Sequence, residues 1–356
     1  MTLLHLIDIP WWSGLSSYAF DCMAAHQEMG HKVILLCEKK SLSEKRARRM
    51  GIPVFAMGGR RFWSAPFNFL AIGLRLAQAR PKMIVAHTGS THWMAVIWGG
   101  IFRMKVARTR AVAQRIQSGM LNRLVYGGTD WVVAASENLK NQYAEKLSLN
   151  GRLKAFLPPV ANPGLASPGP LQARPPSNKK IGVLARLDPK KGHFDIIDAL
   201  AQVQKRHPDM ELHIAGAEEN LPWKDLSMKA AAAGLRNIWY HGFLEYEKIW
   251  EFMDSCRFGL IASRESEEVS RALLEWMSAG RAVVASKVGC IPEILKDGEG
   301  GFLFEPGDVA GLAEKADNLL AGADLAVKMG QINLERAAKD FAPARFKAQW
   351  HEVLYA

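Results

Sequence analysis

Four carboxylates, Glu265, Glu267, Glu268 and Glu275, gather where the apolar run "RFGLIAS" gives way to a helical pattern. Two cations, Arg186 and Lys191, follow another apolar run, "KIGVLA", with Gly192 next and a helical pattern opening after it. Cations at a strand–loop–helix junction, beside free helix N–H groups, suit a diphosphate. An arginine can grip two phosphate oxygens and a lysine adds a compact charge. A solvated basic turn is the other reading, because Lys190 is also present. Val269 or Ser270 opens the second helix, and Leu273, Leu274 and Met277 give it an apolar face. Glu275 therefore sits among buried neighbours, where an unpaired carboxylate costs several kcal/mol. A vicinal diol can satisfy it, and so can Arg271 or Arg281 in a structural bridge. Glu267, in the loop, is placed to reach a bound sugar.

These side chains need rigid elements to hold them. Short apolar runs alternate with helical patterns along the chain, which predicts parallel sheets with crossover helices. The front half offers "TLLHLID", "KVILLC", "PVFAM", "MIVAH", "ARTRAVA" and "WVVAAS" as strands, with a helix over "SSYAFDCMAAHQEMG" stopped by Gly30. Residues 158–177 hold seven prolines and no periodicity, the mark of a linker. Alternation resumes with "KIGVLA", "ELHIAGA", "NIWYHG", "RFGLIAS", "AVVAS" and "GGFLFEP". The expected fold is α/β, with two Rossmann-like doubly wound domains facing across a cleft. The expected boundaries are a first domain over 1–157, a proline-rich linker over 158–178, a second domain over 179–340, and a C-terminal helix over 341–356 that packs back on the first domain. Ligands of such sheets bind beyond the strands' carboxyl ends.

A chain of 356 residues with 49% hydrophobic and 23% charged residues is an ordinary globular protein of two domains. The longest apolar run, "WMAVIWGGIF", is too short to cross a bilayer. The N-terminus lacks a basic leader and reads as a first strand. Four scattered cysteines without a CxxC support neither a disulfide framework nor a zinc site, which points to a reducing cytoplasm. Residues 1–150 hold 20 of the Lys/Arg against 8 Asp/Glu, a net of +12, whereas the remainder holds 26 against 27, a net of −1. Runs such as "KKSLSEKRARR", "GRR" and "RMKVARTR" suit an anionic partner: membrane headgroups, a phosphorylated acceptor or nucleic acid. No zinc spacing, homeodomain pattern or aromatic RNA-binding stretch accompanies the charge, so nucleic acid is not expected.

The stretch "SRESEEVSRALLEWMSAGRAVVASKVGCIPEILKDGEGGFLFEPGD" resembles the donor-site signature of glycosyltransferase family 4, retaining enzymes of the GT-B fold. The family pattern runs Glu-Gly-Phe-Gly, Leu-Glu-Ala-Met-Ala, Gly-x-Pro-Val-Val-Ala-Ser, Gly-Gly-x-x-Glu and Gly-x-Leu. This chain keeps Glu267, Glu275, Met277, Gly280, "VVAS", Gly289, Pro292, Glu293, Gly298 and Gly301. "VLARLDPKKG" is similar to the family's Gly-Arg-Leu-x-x-x-Lys-Gly, and "ELHIAG" and "IWYHGF" fit as well. The chain departs at Glu268 and Ser270, giving Glu-Glu-Val-Ser where the family has Glu-Gly-Phe-Gly, and at Arg281 where proline is usual.

The resemblance implies transfer of a sugar from a nucleotide diphosphate to a hydroxyl with the anomeric configuration kept and no metal cofactor. It implies catalytic roles for His87, Arg186, Lys191 and Glu267. It implies donor contacts from Gly14, Arg186, Lys191, His241, Gly242, Phe243, Glu267, Val269, Ser270, Arg271 and Glu275. His87 would hydrogen-bond the transferred sugar, whereas His92 and His5 read as structural. Trp11 and Trp12 either stack on a sugar or cap the core. The expected acceptor is an anionic glycan or glycolipid, with lipopolysaccharide core or another envelope glycoconjugate favoured. The enzyme is expected in the cytoplasm, with peripheral contact to the anionic inner face of the membrane. A non-catalytic sugar-nucleotide-binding protein and a GT-B-like epimerase are the rival readings.

Overall fold

The computed structural model describes residues 1–57, 66–112, 119–149, 151–160, 162, 173, 176, 178–265 and 267–356, the side chains of 66–70 excepted. The "GRR" run and most of the proline-rich stretch lie outside the described residues. The chain divides into two compact units, Met1–Pro159 with Pro343–Ala356, and Val160–Ala342.

The first unit runs β1 (Thr2–Ile7), α1 (Gly14–Glu28), β2 (Lys32–Glu38), α2 (Leu42–Arg49), β3 (Val54–Met57), α3 (Pro66–Ala79), β4 (Met83–Ala86), α4 (Gly89–Phe102), β5 (Lys105–Arg110), α5 (Met120–Gly127), β6 (Trp131–Ala134), α6 (Glu137–Lys146) and β7 (Leu153–Ala155). The second runs β8 (Lys180–Leu184), α7 (His193–Val203), β9 (Glu211–Ala215), α8 (Trp223–Ala233), β10 (Ile238–Tyr240), α9 (Tyr246–Ser255), β11 (Phe258–Ile261), α10 (Arg271–Ser278), β12 (Ala282–Ser286), α11 (Ile291–Ile294), β13 (Gly301–Phe304), α12 (Val309–Ala321) and α13 (Ala323–Asp340). The last helix, α14 (Pro343–Tyr355), is grouped with the first unit.

Among the described residues each unit is built on one parallel sheet, ordered β3-β2-β1-β4-β5-β6-β7 and β10-β9-β8-β11-β12-β13. Most of these strands are nearly continuous in apolar residues because helices cover both faces. In both sheets the order reverses beside the first strand of the unit, between β1 and β4 and between β8 and β11, the topological switch points where α/β proteins bind ligands. The second unit's core joins β8, β9 and β11 to α7 and α12 through Ile181, Val183, Leu212, Ile196, Leu200, Leu260 and Leu312.

Three residues of the expected linker belong to the second unit instead. Val160 N–H donates to the Phe341 carbonyl at 3.0 Å, Asn162 donates to the Ser278 carbonyl at 2.5 Å, and Ala173 N–H donates to Gln331 at 2.9 Å. Proline removes backbone donors but leaves its neighbours free to bond. At the other end α14 packs on α1, with Phe346 edge-on to Tyr18 at 5.9 Å and Trp350 edge-on to His26 at 4.7 Å. The four cysteines are buried free thiols.

Candidate functional site

The loop after β8 is shaped by backbone constraints. Asp188 caps the 3-10 turn Pro189–Lys191 by accepting from Lys190 N–H at 2.9 Å, and it accepts from Asn220 Nδ2 at 2.7 Å. Burial alone would raise the Asp188 pKa, but these bonds, with Arg186 and Lys190 nearby, hold it below the ordinary carboxylate value. Gly192 then turns left-handed at φ 68°, where a Cβ would meet the Ala262 carbonyl oxygen at 1.9 Å. Only glycine fits there. His193, the first residue of α7, reaches back through Nε2 to the Arg186 carbonyl at 2.9 Å and fixes the chain that carries Arg186.

The loop after β11 closes on the first. Arg264 N–H donates to the Lys190 carbonyl at 2.9 Å, and its guanidinium grips both oxygens of the buried Asp195 at 2.7 and 2.6 Å. Lys190 pairs with Glu265 at 2.8 Å on the surface. Beneath them Lys191 Nζ pairs with Glu267 Oε1, which also accepts from Ser263 Oγ. Glu267 is buried and Lys191 half-buried. The Glu267 carbonyl accepts from Cys290 N–H at 2.7 Å, and Gly289, at φ 56°, leaves no room for a side chain against that carbonyl. Residues far apart in sequence thus meet at the carboxyl ends of β8 and β11, the switch point of the second sheet.

The helix carrying Glu275 is seated by two glycines. Gly182 of β8 and Gly259 of β11 are register partners, and a Cβ on either would fall 2.4 Å from the indole of Trp276. Trp276 is fully buried over them. Its neighbour Glu275 is buried too, with Arg271 Nε 4.0 Å from its Oε1, at the outer limit of an ion pair. Arg281, the other partner considered for Glu275, instead donates to the Met253 and Asp254 carbonyls and pairs with the Asp254 carboxylate at 2.9 Å. Ser270 is the N-cap residue of α10 and is buried, while Val269 is half-buried beside it.

Arg186 points toward the next loop and pairs with Glu219 in an exposed contact. Glu219, like Asp188, Asn220, Ser263 and Asp195, was missed in the sequence. Asp188-Pro189 carries a local capping signal that could have found it. Glu219 carries none, because its partner lies on another loop. Further along the edge, His241 Nε2 shares a hydrogen bond with His213 Nδ1 at 2.9 Å, and burial lowers its pKa. The Gly242 carbonyl accepts from Gly216 N–H at 2.8 Å, and Phe243 is exposed. These three line one edge of the sheet and are joined to neither Arg186 nor Lys191 by the bonds above.

In the first unit Ser13 caps α1, and a side chain at Gly14 would meet nothing within 4 Å. Trp12 packs on Phe20 with ring centroids 5.2 Å apart and lies under the Arg46 guanidinium, whereas Trp11 is half exposed. The role expected of His87, a bond to the transferred sugar, does not fit. It is fully buried, Nδ1 bonded to Thr109 at 2.7 Å and Nε2 to His5 Nδ1 at 2.9 Å, so both ring nitrogens are taken by protein. His5 Nε2 continues to His26 Nδ1 at 3.0 Å. Burial holds all three well below the ordinary histidine value, so the series is neutral and ties β4, β1, β5 and α1 together.

Residues 172–336 match the family described as "Glycosyl transferases group 1". A glycogen synthase of Mycobacterium tuberculosis is 25% identical over 91% of this chain and 73% of its own length. A GDP-mannose-dependent alpha-(1-6)-phosphatidylinositol monomannoside mannosyltransferase of Mycolicibacterium smegmatis is 27% identical over 90% of this chain and 82% of its own. Among solved structures, Anabaena HepE in complex with UDP-glucose superposes with a TM-score of 0.78 at 19% identity over 99% of both chains. That likeness assigns the fold, two parallel-sheet Rossmann-like domains of the GT-B type.

Proposed function

We propose that this glycosyltransferase takes its sugar from a nucleotide-diphosphate donor held at the β8–β11 switch point and passes it, with retention, to a hydroxyl of an anionic envelope glycan or glycolipid. The ion pair of Lys191 with Glu267 carries the proposal. It puts a cation suited to phosphate and a carboxylate suited to sugar hydroxyls against each other at the ligand-binding end of one sheet. Anabaena HepE, of the same fold, has been crystallised with UDP-glucose.

In this reading Arg186 exchanges Glu219 for the diphosphate, Lys191 binds the same group, Glu275 accepts from the ribose hydroxyls, and Glu267 accepts from the sugar. The bond from the anomeric carbon to the phosphate oxygen breaks as the bond to the acceptor oxygen forms on the same face. The acceptor's proton passes to the departing phosphate oxygen. Arg186 and Lys191 stabilise the growing charge, so no metal is called for; losing one such contact costs about 3 kcal/mol in the transition state. Lipid acceptors have a precedent in the mannosyltransferase relative, whose named acceptor is a phosphatidylinositol monomannoside. A lipopolysaccharide core is a second candidate of the same anionic kind.

The test is incubation with UDP-, GDP- and ADP-sugars and extracted envelope glycolipid, followed by NMR of the product's anomeric carbon. Retained configuration is expected. Inversion, or consumption of donor without any acceptor product, would overturn the proposal.

A further inference from the structure

One face of the first unit carries large apolar side chains that are exposed and that none of the described residues covers. Helix α4 buries Thr91, His92, Met94, Ala95 and Trp98 toward the sheet and exposes Trp93, Ile97 and Ile101, four residues apart and therefore in one stripe. Helix α5 buries Tyr126 and exposes Met120, Leu121 and Leu124, 81%, 77% and 65% accessible. The two helices are neighbours: Tyr126 stands edge-on to His92 at 4.8 Å, and Gly128 backs onto Val96. Right-handed crossovers place both helices on the same side of the sheet. A soluble surface rarely leaves so many large apolar groups together without a partner.

The charge around them is of one sign. Between Glu44 and Asp130 the chain holds 15 Lys/Arg and no Asp or Glu, and both helices lie inside that span. Arg103 ends α4 two residues after Ile101, Lys105 follows it, and Arg123 lies between Leu121 and Leu124, all three exposed. A second copy of the chain, docked by the same face, would set these cations against their own equivalents. An anionic bilayer accepts the apolar groups among its acyl chains and the cations among its phosphates.

We propose that the α4–α5 face is a docking surface for anionic lipid, entering at Ile97, Ile101, Leu121 and Leu124 and held by Arg103, Lys105 and Arg123. The inference uses the first unit alone, so its failure leaves the donor-site reading untouched. The full chain is sedimented with phosphatidylcholine vesicles with and without phosphatidylglycerol, at low and high salt. Wild type pellets with the anionic vesicles and is released by salt. Leu121→Glu with Leu124→Glu weakens binding about tenfold or more. Arg123→Gln weakens it about fivefold, the share of one basic residue near a charged surface.

Four results would overturn the proposal: no pelleting of wild type, equal pelleting with neutral vesicles, binding by the Glu double variant as tight as wild type, or a lipid-free dimer that the double variant splits. Thermal melts confirm that each variant is folded, and the wild-type salt and lipid comparison stands without any variant.

Discussion

Gly182 and Gly259 face each other across the β8–β11 pairing, and the indole of Trp276 fills the space that two side chains would have taken. Glycine weakens a strand, so two of them paired at the switch point need a packing reason. Trp276 supplies it, and by lying flat on the sheet it sets the position of Glu275 beside it. Gly259→Ala is expected to lower stability by about 1–3 kcal/mol, the cost of overpacking a filled core. Urea unfolding measures it, and donor binding should weaken with it because α10 is pushed outward.

Lys191 and Glu267 are coupled. Lys191→Met leaves a buried carboxylate whose remaining side-chain partner among the described residues is Ser263, and should cost about 3–5 kcal/mol. Lys191→Met with Glu267→Gln should recover most of that loss, since no charge then remains unpaired. A double-mutant cycle on unfolding free energies reads the coupling directly. Additive effects would mean that the pair contributes nothing to folding.

In the proposed reading Glu219 competes with the donor for Arg186. Their pair is exposed, and such pairs are worth about 1 kcal/mol or less. Glu219→Gln should therefore tighten donor binding by up to about fivefold, with the gain shrinking in high salt. Isothermal titration calorimetry checks it. Weaker binding in the variant would mean that Glu219 supports the site rather than occupying it.

Stability should fall on mild acidification. Burial depresses the folded-state values of His5, His26 and His87, so below the unfolded value near 6.5 the unfolded chain takes up protons that the folded chain refuses. The stabilisation is complete above pH 6.5 and is lost as pH drops from there through the folded values. Unfolding midpoints should drop between pH 7 and pH 5, above the carboxylate range, and His92 and His193, whose values burial also lowers, add to the fall. A flat profile there would mean that the series is already charged or broken at neutral pH.

Much of this architecture was legible in the sequence, for a physical reason. Strands buried on both faces read as apolar runs, so "KVILLC", "ELHIAGA" and "AVVAS" marked β2, β9 and β12 without ambiguity. The three-residue β7, half-buried at the sheet edge, carries too few apolar residues to stand out. Arg186, Lys191 and Glu267 were singled out because each follows a strand within a few residues. Glu219 and Ser263 were not, because their roles come from loops meeting in space. His87 was assigned a ligand because the family resemblance places a cleft histidine at the end of the fourth strand. The side chains that enclose it, His5 and Thr109, sit on other strands and leave no local trace.

The most direct test is the binding of a nucleoside diphosphate against its parent nucleoside, for the base that the donor screen selects, in wild type and Arg186→Ala. If Arg186 grips the diphosphate, the variant loses about tenfold or more for the diphosphate and nothing for the nucleoside. Equal diphosphate affinity in the two proteins would contradict it.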